Sequence, residues 1–240
     1  MPTPTIPVEV SVGFVLLTLA VLIALATLAR RVAPRLWWLI GLMIGWTALT
    51  AGVALSGVLA EFGSGQPRLP VLIMIPLIFV GWLAWLSPAS LHLAMIPQAQ
   101  LVALQCFRLP VELLLARMAS ERLLAVEMTY YGRNFDVLIG IAALFVAYRI
   151  AVDGEEATKF LVVGWNMLGL MLVTAVLVHG ILSIPYPFQP LSLSVPTFAI
   201  AYFPIVWLPT VLVPVAYLLH FVSLRRCFAQ SIGTPESAES

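Results

Sequence analysis

Charged residues are scarce in this 240-residue chain, where they make up 10% of the sequence. The 12 Lys and Arg residues nearly balance the 11 Asp and Glu residues, and the formal net charge is +1. No long basic or acidic block occurs, so the composition gives no reason to expect a nucleic-acid partner.

Cysteine and recognisable catalytic motifs are also nearly absent. Only Cys106 and Cys227 occur, which argues against a disulfide framework or a cysteine metal site. No HExxH, CxxC, SxxK, GxSxG or Walker pattern is present, and this does not favour an enzyme. A haem held by His179 and His220 would need ligands on opposite sides of a membrane, whereas a site formed by His92 and His220 stays open. The sequence identifies no cofactor.

Apolar residues dominate instead: 62% of the chain is hydrophobic and the mean hydropathy is +1.05. A spanning helix needs about 20 apolar residues, and runs of this length recur throughout. We therefore predict an all-α integral membrane protein, a seven-helix bundle forming one domain over residues 1–228, with a disordered tail at 229–240. The predicted spans lie at about 9–29, 36–60, 69–87, 97–118, 135–151, 158–182 and 197–222.

The fourth predicted span is close to balance for insertion. Nine Leu, Val and Phe residues between Ala99 and Met118 contribute about −0.3 to −0.6 kcal/mol each, whereas Arg108 and Glu112 cost about +2.5 to +3.5 kcal/mol each near the centre. These sums nearly cancel. Six spans with an interfacial segment at 88–133 are therefore the alternative topology.

The distribution of basic residues predicts the orientation. With seven spans, one side of the membrane has seven basic residues and the other has four, so the first side is cytoplasmic and the N-terminus lies outside. The seven are Arg30, Arg31, Arg35, Arg149, Lys159, Arg225 and Arg226, and the four are Arg68, Arg117, Arg122 and Arg133. Arg outnumbers Lys eleven to one, which indicates a GC-rich bacterial source and hence a bacterial cytoplasmic membrane.

A polar stripe runs along the fourth span. At 100° per residue, Gln98, Gln105, Arg108 and Glu112 fall within an arc of about 80°. Arg108 and Glu112 have i,i+4 spacing, which predicts a charge-assisted pair. Pro110 predicts a kink between them.

The stripe has three interpretations. It faces a cavity and binds a polar or anionic ligand through Arg108, with Glu112 as counter-ion or proton carrier. Alternatively it is a structural salt bridge between helices, or it belongs to a helix that does not span.

The stretch EMTYYGRNFD at 127–136 precedes the fifth span. We predict that Asn134 and Asp136 line a polar pocket that opens outside and is continuous with Glu112 and Arg108. The alternative is a helix cap with membrane-interface tyrosines.

Two later spans have unusual residues. Asn166 in the sixth span is typical of a hydrogen bond between helices, and a ligand contact is the alternative. In the seventh, prolines predict a bent or partly unwound helix because they leave earlier carbonyls without their usual donors. The prolines are Pro204, Pro209 and Pro214, and the carbonyls are those of Ile200, Ile205 and Thr210.

Three classes of function remain. The first is binding or transport of a small polar or anionic ligand in an intramembrane pocket. The second is an accessory or structural subunit that docks other membrane subunits or forms a homo-oligomer in the lipid bilayer. The third is a membrane enzyme acting on a lipid or isoprenoid head group. The candidate ligand-binding residues are Gln105, Arg108, Glu112, Asn134, Asp136 and Asn166.

Overall fold

The computed structural model describes residues 4–32, 34–187 and 189–232, and this part of the chain is helical, without a β-strand. The helices are α1 (Val8–Val32), α2 (Trp37–Leu55), α3 (Arg68–Trp85), α4 (Ala89–Leu93), α5 (Gln98–Leu104), α6 (Arg108–Ser120), α7 (Asp136–Asp153), α8 (Lys159–Leu182) and α9 (Val213–Ile232). A π-helix, Leu208–Leu212, leads directly into α9.

Six helical segments of the described chain are long and apolar enough to cross a membrane. They are Val8–Arg31, Trp37–Leu55, Arg68–Trp85, Gln98–Ser120, Lys159–Leu182 and Leu208–Ala229. These lengths and compositions indicate a membrane protein. The predicted fifth span corresponds to α7, which is not among the six because its 18 residues include the charges of Asp136, Arg149 and Asp153.

The fourth predicted span is one helical segment, Gln98–Ser120, made of α5, a single 3-10 turn at Gln105–Phe107, and α6. The turn ends three residues before Pro110 and contains Cys106, whose carbonyl the proline leaves without its usual helical donor. The segment has 23 residues, enough to cross the hydrocarbon core of a bilayer.

The last helix differs from the prediction of a span at 197–222. Residues 199–201 form an isolated 3-10 turn, and the helical segment begins at Leu208 and continues to Ile232. Pro204 explains the late start, because proline cannot donate the backbone hydrogen bond that an extended helix needs. The first residues of the predicted tail thus belong to α9, and residues 233–240 lie outside the described part.

Two tryptophans join α2 to the π-helix. Nε1 of Trp46 donates a hydrogen bond to the carbonyl oxygen of Thr210 (2.9 Å), which is the carbonyl that Pro214 leaves without its helical donor. In return, Nε1 of Trp207 donates to the carbonyl oxygen of Thr47 (3.0 Å). The reciprocal bonds hold the distorted start of the last helix against α2.

The last helical segment is the centre of the bundle. In its most apolar window 67% of the residues are buried, against 22% in α1 and in α2. The helices α3, α5 and α8 pack along α9, and α7 packs on α5 and α6. Polar residues on the inner faces of α5, α6, α8 and α9 are therefore brought together inside the protein.

Candidate functional site

Arg108, at the start of α6, contacts three polar side chains of the interior. Its guanidinium forms an ion pair with the carboxylate of Asp136 at the start of α7. Its Nε donates to Oε1 of Gln105 (3.1 Å), and its Nη2 lies 2.9 Å from Nε2 of His220. The predicted Arg108–Glu112 pair is replaced by Arg108–Asp136, because α7 brings Asp136 against the guanidinium.

The partners of His220 determine its protonation state. Its Nδ1 lies 2.7 Å from Oδ1 of Asn166, an oxygen that only accepts, so Nδ1 has the hydrogen. Its Nε2 faces Nη2 of Arg108, a group that only donates, so Nε2 accepts. The imidazole is therefore neutral and adds no positive charge to the cluster.

The hydrogen-bonded chain continues from His220 across three helices. Nδ2 of Asn166 donates to Oγ of Ser223 (2.7 Å), and Nε2 of Gln98 donates to the same oxygen (2.5 Å). Nε2 of Gln105 donates to the carbonyl oxygen of Ala216 (3.1 Å). The polar stripe of α5 and α6 is thus bonded to α8 and α9. Asn166 forms a hydrogen bond between helices, as predicted for an asparagine within a span.

Asn134 connects the start of α7 to Glu112. Its Nδ2 donates to Oε1 of Glu112 (2.6 Å) and to the carbonyl oxygen of Met128 (3.2 Å). Its Oδ1 accepts from the backbone N–H of Asp136 (3.0 Å), one of the N–H groups that the first turn of a helix leaves unbonded. Asn134 therefore bonds both to the first residue of α7 and to the candidate ligand residue Glu112.

Glu112 has unused hydrogen-bonding capacity. The residue is only 2% exposed, and its Oε2 has no hydrogen-bond partner among the described residues. A buried carboxylate oxygen without a donor costs free energy, so such groups are uncommon in a folded interior.

Glu112 and Asn134, which are hydrogen-bonded to each other, line two different cavities. The larger, about 80 Å³, is lined by Arg108, Glu112 and Asp136 and otherwise mainly by aliphatic residues of α6, α8, the π-helix and α9. The smaller cavity, about 40 Å³, is lined by Asn134 and by three polar residues that do not bond to the Arg108 cluster: Glu127, Arg133 and His179. Met128 and Val176 line both, so the two cavities are neighbours.

Glu127, at the smaller cavity, also anchors the loop that follows α8. Its Oε2 accepts a hydrogen bond from Oγ of Ser194 (2.6 Å), and its Oε1 accepts from the backbone N–H of Ser194 (3.3 Å). The hydroxyl bond is the main reason that the pKa of Glu127 is lowered from its ordinary value. At neutral pH the Glu127 carboxylate is therefore ionised, and it tethers this loop through Ser194.

All six candidate residues predicted from the sequence belong to this buried cluster. Sequence reasoning missed His220 and Ser223, and it placed Gln98 on the stripe but not in the site. With the last span set at 197–222, His220 fell near the inner surface, whereas in a helix that begins at Leu208 it lies close to the middle. In the described part of the chain, His, Cys, Asp and Glu residues form no group of three suited to a metal ion.

No curated protein and no solved structure significantly matches the chain. One family model does match: it is described as Domain of unknown function (DUF8737) and aligns with residues 66–228. The aligned region extends from α3 to α9 and includes every residue of the buried polar cluster. Because the match covers more than half of the sequence, this chain belongs to the DUF8737 family.

Proposed function

We propose that the protein binds or transports a small polar ligand in the larger cavity, beside Arg108, Glu112 and Asp136. The observation that supports the proposal most strongly is the buried carboxylate of Glu112, which lines the cavity and keeps Oε2 without a partner in the described structure. Ionisable residues inside a membrane are costly, and they usually mark ligand or ion pathways. A ligand that donates to this oxygen would remove the cost.

The proposal includes a membrane arrangement with seven spans, α7 being the fifth. At the start of α7, Asp136 is paired with Arg108, and near its end Arg149 is paired with Asp153. The charged residues of α7 are therefore all compensated by ion pairs. The basic residues favour an N-terminus outside and a C-terminus in the cytoplasm of a bacterial cell. In this orientation the smaller cavity, at the start of α7, is on the outer side and gives the ligand its route.

The structure lends less support to docking of a partner helix by the polar stripe. Gln98, Gln105, Arg108 and Glu112 are each at most 2% exposed. They are covered by α7, α8 and α9 of the same chain, so a partner helix finds no accessible polar surface there. An oligomer or a larger complex would have to use another face.

A density map of the purified protein, together with native mass spectrometry, tests the proposal. We expect non-protein density beside Glu112 and a bound mass in the wild type. Gly180→Leu should remove both, because Gly180 lines the cavity and its new side chain would fill it. Gly164→Leu on the same helix is the control, since a Cβ there meets no described atom within 4 Å. An empty, dry cavity in all three proteins would overturn the proposal.

A further inference from the structure

We infer that the ligand is a small monovalent organic cation with a short aliphatic body, of the class of a protonated alkylamine, held by the carboxylate of Glu112. This inference rests on the proposed function and names the chemistry of the same cavity. It departs from the sequence-based expectation of an anion bound to Arg108.

The balance of charge around the cavity favours a cation. Arg108 supplies one positive charge, and Asp136 neutralises it in a direct ion pair. Glu112 adds a second carboxyl group, and the described interior provides no separate cation for its ionised form. An anion would bring a third negative charge into a low-dielectric space, whereas a monovalent cation would bring the net charge of the site to zero.

The remaining groups that face the cluster do not supply the missing charge. His220 on α9 is neutral, because its two ring nitrogens face a donor and an acceptor. Tyr130, before α7, and Tyr217, on α9, interact electrostatically with Glu112 and Arg108 respectively, and phenols are uncharged at neutral pH. Glu112 is therefore the residue whose ionised carboxylate a bound cation would balance.

Arg108 has little capacity left for an anion. A guanidinium has five N–H groups, and three of those on Arg108 are directed at Gln105, Asp136 and His220. An anion would have to compete with a carboxylate already in place. Glu112 differs, because Asn134 occupies only its Oε1 and Oε2 is left for the N–H of an ammonium group.

The rest of the cavity wall selects the body of the ligand. Beyond the charged residues it consists mainly of aliphatic side chains, including Val173, Leu177, Leu212 and Val213. Its volume of about 80 Å³ is smaller than the roughly 150 Å³ of an engineered cavity that binds benzene. This small, aliphatic space suits a short body of a few methylene groups better than a long chain.

Three probes of equal length separate charge from shape: n-butylammonium chloride, sodium butyrate and n-butanol. Each is titrated by calorimetry into the purified protein at constant ionic strength. We expect saturable binding of butylammonium, with butyrate and butanol at least tenfold weaker. Glu112→Gln should weaken butylammonium binding at least tenfold, because the amide keeps the shape of the side chain and removes its charge. Glu121→Gln, just past the end of α6 and exposed, is the matched control and should bind like the wild type.

Several results would overturn the inference. Equal affinity of wild type and Glu112→Gln for butylammonium would exclude Glu112 as the cation site. Tight butyrate binding that Gly180→Leu abolishes would reject the cation class and keep the pocket. The same conclusion follows if butylammonium does not bind although the map shows density in the cavity. If no probe binds and the map is empty, the pocket proposal fails as well.

Discussion

Gly169 on α8 lies directly against the imidazole of His220 on α9: a Cβ added to the glycine would come within 2.5 Å of Nε2. This nitrogen is the one that accepts from Arg108. Because position 169 has no side chain, the His220 ring fits between α8 and α6. There it bonds to both Asn166 and Arg108.

Gly169→Ala should destabilise the protein by about 1 to 3 kcal/mol, the usual cost of overpacking a well-filled interior. The methyl group would displace His220 and weaken its bonds to Arg108 and Asn166. Equilibrium unfolding in mixed detergent micelles measures the change. Gly164→Ala, one and a half turns earlier on the exposed face, should instead stabilise by about 0.5 to 1 kcal/mol, because alanine is the better helix former. Equal effects at both glycines would contradict the close packing.

Removing one member of the Arg108–Asp136 pair should cost much more than removing both. Arg108→Met leaves the carboxylate of Asp136 buried and unpaired, which is expected to destabilise by about 3 to 5 kcal/mol. Adding Asp136→Leu should recover most of this loss. The measurement is a double-mutant cycle of unfolding free energies in the same micelles.

The matched pair for that cycle is Arg149 and Asp153, which form an i,i+4 ion pair at the exposed end of α7. Its removal should change the free energy of unfolding by only about 0 to 1 kcal/mol. A coupling energy for Arg108 and Asp136 as small as that of the exposed pair would show that the buried ion pair is not formed.

Trp46→Phe should destabilise by about 1 to 3 kcal/mol, because it leaves the buried carbonyl of Thr210 without a donor. The loss has a specific remedy. Pro214→Ala restores a backbone N–H four residues after Thr210, which can donate to the same carbonyl. We expect Trp46→Phe to cost clearly less in the Pro214→Ala background. An unchanged cost would mean that the tryptophan acts by packing alone.

The tether between Glu127 and Ser194 should respond to acid. Because the pKa of Glu127 is lowered in the folded protein, the contact is complete above the ordinary glutamate pKa, about 4.3, and is lost as the pH falls below it. The protection factors of residues 189–196 in hydrogen exchange, which take the slower intrinsic exchange in acid into account, should therefore fall at acidic pH in the wild type. In Ser194→Ala the exchange should already be fast at neutral pH. Identical exchange in the two proteins would exclude the tether.

Local periodicity was enough to predict the polar stripe, since the phase of Gln98, Gln105, Arg108 and Glu112 depends only on helix geometry. The same holds for Thr210, whose carbonyl follows from the position of Pro214. In both cases the relevant physics lies within a few residues of the chain. The identity of the partners, Asp136 for Arg108 and Trp46 for Thr210, could not be predicted because it depends on which helices pack together.

The register of the last helix was the main error, and it hid His220. Hydropathy is high throughout residues 197–222, so composition alone did not show that the apolar stretch before Leu208 forms a short turn instead of a helix. Shifting the helix toward the C-terminus moves His220 and Ser223 from near its end toward its middle. A stricter reading of Pro209, which lies in the first turn of the helical segment, as a helix start signal would have found them.

The polar cluster also has a consequence for how the chain is made. The segment Gln98–Ser120 is close to balance for entering the bilayer, and the groups that satisfy it are synthesised later: Asp136 follows Arg108 by 28 residues, His220 by 112, and Ser223 follows Gln98 by 125. During synthesis Arg108 gains its ion pair once α7 has been made, whereas the hydrogen bonds to His220 and Ser223 have to wait for α9. We expect its stable integration to be completed only when α9 has left the ribosome, so that biogenesis of the fourth span is controlled by the last one.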